Sequence, residues 1–240
     1  MSALEGKIAI VTGAGKGIGR GICLLFAENG AKIVAAARTA SDIERLVGEI
    51  QSRGGQALAV PTDVRRRKDA DRLAASAIER FGKSDILVNN AGVGKFANVV
   101  NLSDEDWTEQ IETNLNGMFY CTRAVLKEMI KGRKDEVRHI INIASLAATA
   151  GFRGGAAYCA SKFAVVGFTE SLMLEVREHN IKVSVILPGS VNTYFRDAPP
   201  DAESWKLDPK DVARAALDIV TCSPKSLVSR VELRPVRPKG

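Results

Sequence analysis

The sequence predicts a doubly wound α/β domain, a mostly parallel seven-stranded sheet with helices on both faces, and three observations lead there. Short, β-branched-rich apolar runs alternate with amphipathic stretches along the whole chain. The runs are nearly all apolar, the mark of strands buried on both faces. The length, 240 residues, suits one generous domain over residues 1–240 better than two small ones. Strand–helix–strand alternation implies right-handed crossovers and therefore a parallel sheet.

Taken in order, the first strand is expected at residues 7–12, with a glycine-rich turn and a helix at 19–29 behind it. The second strand, 32–37, leads into a helix at 41–53, and the third, 57–60, into one at 69–81. The fourth strand, 86–89, precedes a long helix at 105–131, and the fifth, 139–143, precedes one at 157–179. The sixth strand, 183–187, is separated from the last helix, 209–222, by a poorly patterned stretch, and 227–233 closes the sheet. That stretch, 192–207 within a loop of about 190–207, contains Asp197-Ala-Pro-Pro-Asp201 and reads as a substrate lid.

Composition narrows the function. The chain is 45% hydrophobic and 26% charged, as expected for a globular protein with a proper core. No apolar run reaches the roughly 20 residues that span a bilayer, and the N-terminus has no secretory pattern, so a cytoplasmic protein without membrane contact is expected. Cys23, Cys121, Cys159 and Cys222 are scattered without a paired motif and read as reduced thiols. With only His139 and His179, no metal site is expected. The net charge of +6 gathers at residues 65–68, 131–134 and 230–239. Such runs read as solvated faces, with a mild field that draws an anionic cofactor or substrate. At 5% aromatic content, a nucleic-acid-binding face is not expected.

In doubly wound sheets, ligands bind beyond the carboxyl ends of the strands, so the segments after each strand carry the interest. After the first comes Thr12-Gly13-Ala14-Gly15-Lys16-Gly17-Ile18-Gly19. Gly13, Gly17 and Gly19 let the backbone turn tightly and approach a pyrophosphate, while the following helix N-terminus, with Ile18 in its first turn, offers free N–H groups. An acid at the end of the second strand would hold the ribose hydroxyl of NAD; a base there accommodates the 2′-phosphate of NADP. The chain has Arg38-Thr39 at that point and no acid. Arg38 offers a planar fork of donors, Thr39 or Ser41 a hydroxyl, and Lys16 a cation from the loop. Each cation alone also reads as a surface residue; together, with the acid missing, they favour NADP(H).

The pieces Thr12-Gly13-x-x-x-Gly17-x-Gly19, Asp63-Val64, Asn89-Asn90-Ala91-Gly92, Asn114, Ser145, Tyr158-Cys-Ala-Ser-Lys162 and Pro188-Gly189 occur in this order, each at a strand end or on a helix. In this the sequence resembles the short-chain dehydrogenase/reductase family over nearly the whole chain, with a Rossmann-type fold implied. Tyr158 and Lys162 lie four apart on one helix face. A phenol with a reference pKa of about 10 is a poor base near neutrality, and a neighbouring ammonium favours its phenolate. The resemblance implies Tyr158 as general acid/base, Ser145 as partner of the substrate oxygen, and Asn114 as holder of a water that joins Lys162 to solvent. It further implies that Lys162 holds the nicotinamide ribose and that Asp63 and Val64 meet the adenine. Asn90, Ala91 and Gly92 would let the cofactor pass, and Pro188, Gly189, Val191 and Thr193 would face the nicotinamide.

The expected function is an NADP(H)-dependent oxidoreductase that interconverts a small carbonyl compound and its secondary alcohol. The texture most resembles 3-oxoacyl-acyl-carrier-protein reductases, with the basic segment 131–134 as a docking site for an acidic acyl carrier protein. The tail points instead to relatives acting on small hydroxy acids or other carbonyls. A non-catalytic NADP-binding regulator is the reading from another class. By resemblance a homodimer or homotetramer is expected, joined through the helices at 105–131 and 157–179.

Overall fold

The structure, a computed structural model, describes residues 2–133, 135–196, 200–201 and 204–237. Lys134 of the basic run, residues 197–199 and 202–203 of the expected lid, and the chain end from 238 lie outside the described residues.

The strands are β1 (Ile8–Thr12), β2 (Lys32–Ala37), β3 (Ala57–Pro61), β4 (Ile86–Asn89), β5 (Arg138–Ile143), β6 (Ile181–Pro188) and β7 (Arg230–Leu233). The helices are α1 (Gly17–Glu28), α2 (Ala40–Ser52), α3 (Arg67–Phe81), α4 (Asp104–Ile111), α5 (Gly117–Met129), α6 (Ala156–Val176) and α7 (Pro209–Thr221). One sheet takes all seven strands in the order β3-β2-β1-β4-β5-β6-β7, and every pair is parallel. The chain changes direction across the sheet between β1 and β4, which is where such folds open a ligand crevice.

Alternate side chains of each strand enter opposite cores. Ala9 and Val11 of β1 pack with Ile22 and Phe26 of α1, Ile43 and Leu46 of α2, and Val212 and Ala216 of α7. Ile8 and Ile10 face the other way, against Leu73 of α3, Val125 and Met129 of α5, and Leu172 of α6. Both faces are therefore dry, which explains the continuous apolar runs. Local chemistry sets the helix ends. Asp208 and Asp211 form a reciprocal capping box with Pro209 as the first residue of α7. The Ser103 hydroxyl accepts from Asp106 N at the start of α4, and Gly82 ends α3 in the left-handed region.

The expected helix 105–131 is not one helix. A π turn at Glu112–Asn116 divides it into α4 and α5. The extra residue is absorbed where Asn114 turns inward onto the chain beyond β4 and where Gly117 lets Val64 approach; a Cβ on Gly117 would stand 2.6 Å from a Val64 methyl. The other expected elements lie within a few residues of those observed, β7 beginning later than expected, at Arg230.

A buried polar chain braces the centre of the sheet. Asn89 Nδ2 donates to Asn142 Oδ1 (2.8 Å) and Thr122 Oγ1 (2.9 Å), and Asn142 Nδ2 donates to Thr169 Oγ1 (2.9 Å). It joins β4 and β5 to α5 and α6 immediately beneath the site. Replacing Asn142 with Leu removes one hydrogen bond each from Asn89 and Thr169 in a dry interior, leaving Asn89 only Thr122 and Thr169 only the Val165 carbonyl. The expected cost is about 2–4 kcal/mol and a drop of about 5–12 °C in Tm, read by calorimetry.

Candidate active site

The carboxyl ends of the strands open into one cleft of about 1340 Å³. Its walls include the residues marked out by sequence for the cofactor or the chemistry except Gly19 and Asn114, which stand directly behind it, and Ser41, the alternative hydroxyl to Thr39, which does not line it.

Beyond β1, Gly13 and Gly17 take φ of +64° and +57°, which side chains resist. The turn lies hard against the chain leaving β4. A Cβ on Gly13 would stand 2.8 Å from Asn90 Nδ2, and one on Gly19 would strike the Gly13 carbonyl oxygen. Thr12 Oγ1 accepts from the N–H groups of Asn90 (3.0 Å) and Ala91 (3.1 Å), and Asn90 Nδ2 donates back to the carbonyls of Thr12 and Gly13. Asn90 is thus a brace as well as a wall. Ile18 lines the cleft in the first turn of α1, whose N-terminus faces it. Lys16 stands just before that helix, and its ammonium lies 5.6 Å from the Tyr194 ring centroid, toward the loop beyond β6.

Arg38 and Thr39 line the cleft beyond β2. The Arg38 guanidinium approaches Glu109 of α4 at 3.9 Å, and Arg65 reaches the same carboxylate at 4.0 Å. Arg38 is more than half exposed, so this pairing is weak and yields to a stronger anion. Beyond β3, Val64 packs on Gly117 and Asp63 is engaged within its own loop. Arg65 Nε and Nη2 grip the two Asp63 oxygens at 2.9 and 2.6 Å, and this hydrogen-bonded guanidinium holds the carboxyl below the usual carboxylate range. The carboxylate expected to meet an adenine is therefore fastened by a neighbouring cation.

Tyr158 and Lys162 occupy the first two turns of α6, both buried, with Lys162 Nζ 5.7 Å from the Tyr158 ring centroid. Lys162 Nζ donates to the Ile143 carbonyl at the end of β5 (3.0 Å). Burial pushes its ammonium down from an ordinary 10.5 to about 8. Ser145, two residues past β5, lines the same wall, its hydroxyl accepting from Ala147 N (3.2 Å). Asn114 is a structural knot: Oδ1 accepts from Val93 N (2.8 Å), and Nδ2 donates to the Val93 carbonyl (2.9 Å) and Ser161 Oγ (3.0 Å). Ser161 in turn donates to the Tyr158 carbonyl (2.7 Å). Gly92 leaves the space between: a Cβ there would lie 3.3 Å from Asn114 Oδ1 and 3.6 Å from Lys162 Nζ.

At the end of β6, Pro188 and Gly189 line the cleft, with Gly189 N donating to the Leu233 carbonyl (2.8 Å). Val191 bridges to Leu207, which ties the two ends of the expected lid, and Asn192 holds Asp201 through both side-chain atoms. A Cβ on Gly17 would stand 3.1 Å from the Thr193 methyl, so this loop closes on the glycine turn. The site thus has a glycine cradle on a helix N-terminus at one end and a buried Tyr–Lys pair at the other. A dinucleotide, with pyrophosphate at the first and nicotinamide at the second, fits it. Sequence reading missed Glu109, Arg65, the rings of Phe96 and Phe195 beside Tyr158, and Phe152 behind Phe96. The position of Phe96 beyond β4 was the one available signal.

Fold and cleft together define an α/β dinucleotide-binding oxidoreductase. Residues 7–203 match the profile of the short chain dehydrogenase family, and the chain belongs to that family. It is 34% identical over 236 residues to a sepiapterin reductase of Chlorobaculum tepidum, covering 95% of this chain and 96% of the relative. It is 37% identical over 194 residues to a 3-oxoacyl-[acyl-carrier-protein] reductase of Synechocystis, covering 80% and 77%. A metagenomic short-chain oxidoreductase solved with NADP superposes with a TM-score of 0.86 at 32% identity, over 99% of this chain and 100% of the other.

The depressed Lys162 carries a stability consequence of definite sign. Between about pH 8 and its ordinary 10.5 the unfolded chain holds a proton that the folded chain has shed, so this group makes stability rise with pH across that window. Below it, the folded protein bears the cost of a buried charge. Lys162→Met is expected to be more stable at pH 7 by about 1–3 kcal/mol. It also loses the slope between pH 8 and 10.5 that the parent shows; urea titrations at both ends of the window measure both effects.

Proposed function

We propose that the chain is an NADP(H)-dependent reductase of a ketone or aldehyde, or the reverse alcohol dehydrogenase, with Tyr158 as general acid/base. The observation that carries this is the buried Tyr158–Lys162 pair on α6, meeting Ser145 at the end of β5 in the cleft that also holds the glycine turn. The bound nicotinamide supplies the hydride in reduction and receives it in oxidation. Ser145 Oγ and the Tyr158 hydroxyl converge on the substrate oxygen, and Tyr158 gives it a proton as charge develops there. Lys162, tethered to Ile143 O, sets a positive charge under the phenol and holds the ribose hydroxyls. The donors of the Asn114 amide are spent on Val93 and Ser161, so its part in a water relay runs through the carbonyls that the π turn loosens from the helix.

Arg38 and Thr39 take the 2′-phosphate, with Glu109 giving way to it, while Lys16 screens the phosphates from the loop side. Val64 and the Asp63 loop border the adenine. The NADP-bound structural relative supports this choice. A 3-oxoacyl thioester delivered by an acidic carrier is supported by likeness to the Synechocystis reductase. The basic run offers it little: Lys131 is paired with Glu128 (2.8 Å) and Arg133 with Asp135 (2.7 Å). Exposed Phe119 on α5, and Phe163 and Leu174 on α6, support a homodimer or homotetramer joined through these helices.

Fluorescence titration is the first test: NADPH is expected to bind at least about tenfold tighter than NADH, and Arg38→Ala to erase that margin. Equal binding in the parent overturns the phosphate assignment. Tyr158→Phe is expected to keep NADPH binding and lower kcat by a factor of about 100 or more, in a screen of ketones and aldehydes. Light scattering is expected to give a mass two or four times 25.8 kDa.

A further inference from the structure

The chain is poor in aromatic residues, 5% in all, yet they are not spread evenly. The one cleft takes three of its eight phenylalanines, one of its two tryptophans and two of its three tyrosines. Three come from separate strand ends: Phe96 beyond β4, Phe152 beyond β5, and Phe195 in a 3₁₀ turn, Tyr194–Arg196, beyond β6. Phe96 and Phe195 meet at the Tyr158 ring, and Phe152 joins them through Phe96. Phe96 stands edge-on to Tyr158 at 5.5 Å between centroids and Phe195 lies tilted to it at 5.6 Å, while Phe96 contacts Phe152 at 5.6 Å and Phe195 at 6.4 Å.

Two glycines make this convergence possible. A Cβ on Gly94 would stand 2.6 Å from the Phe195 ring and 2.9 Å from the Phe96 ring; one on Gly155 would stand 2.5 Å from the Phe152 ring. Phe152 and Phe195 remain 44% and 38% exposed within a concave site. The exposed surfaces of Phe152 and Phe195, flanking the packed Phe96–Tyr158 pair inside the cleft, offer stacking area to another ring, because aromatic pairs gain from tilted and offset contact beyond the area they bury. A flexible acyl chain gains no such geometric term.

We propose that the substrate of this site is a carbonyl compound whose C=O is attached directly to a flat aromatic or conjugated ring, with Phe96, Phe152 and Phe195 as its specificity-determining residues. This rests on the carbonyl-reductase reading above. The step balances: the carbonyl carbon gains one hydride, the oxygen gains the Tyr158 proton, C=O becomes CH–OH, and NADPH becomes NADP⁺. Tyr158 recovers its proton from solvent.

The test compares acetophenone with cyclohexyl methyl ketone, alike in size but not in flatness, by NADPH oxidation in the full-length parent and in Phe96→Leu and Phe195→Leu. The expected result is a kcat/KM ratio favouring the aryl ketone by about tenfold in the parent, falling about fivefold or more in each variant. NADPH titration of each variant confirms that the cofactor site is intact. A parent ratio of one or less, or a ratio unmoved in both variants, overturns the substrate assignment while reduction of the cyclohexyl ketone leaves the reductase reading standing. Failure to reduce either ketone or any other carbonyl, with NADPH bound, overturns both.

Discussion

The chain leaving β1 and the chain leaving β4 are fastened to one another at the point where the sheet changes direction, and the site is organised around that fastening. Thr12 Oγ1 receives two backbone N–H groups from the β4 side, and Asn90 returns two hydrogen bonds to the β1 side. With these four contacts made, the glycine turn has no room for side chains, and the N-terminus of α1 is held facing the cleft. The same fastening orders Gly92 and Val93, on which Asn114 closes, and through Ser161 the constraint reaches the backbone of Tyr158 itself. The glycine turn and the Tyr158–Lys162 pair are thereby joined in one hydrogen-bonded frame, the preorganisation that the proposed chemistry needs.

The frame carries an electrostatic cost at Lys162. A wholly buried ammonium with one carbonyl partner is a poor contributor to stability, and its lowered proton affinity is the measure of that. In the proposed reaction the same burial serves Tyr158, since a cation held near a phenol in a dry wall acts on it far more strongly than one in water. Arg38 follows the opposite logic. It stays exposed and loosely paired with Glu109, as its proposed role toward an incoming phosphate requires.

Much of the site is legible in the chain because its parts are local. The glycine turn, the Tyr158–Lys162 spacing and Arg38 at a strand end each depend on neighbours in sequence, and the sheet rule places them on one edge. The reading fails where a residue is claimed by a partner elsewhere. The division of 105–131 by a π turn follows from what Asn114 and Gly117 meet across the structure, and no helical periodicity reports it. Asp63 looks open as an isolated acid, but the loop conformation brings Arg65 back over it. Phe96, Phe152 and Phe195 are 43 to 99 positions apart along the chain, and ring contact at 5–6 Å is a property of three loops folded together.

By itself the sequence determined the α/β alternation, the two-sided burial of the strands and the chemical groups presented at their ends, because periodicity, glycine freedom and i, i+4 spacing act over a few residues. The tertiary structure alone decided which groups remain available to a ligand. It committed Asn114 and Asn90 to bracing, tied Asp63 to Arg65, drove Lys162 out of water and gathered scattered rings over Tyr158. Hydrogen-bond saturation, desolvation and ring packing depend on distance in space, and the chain order does not carry that information.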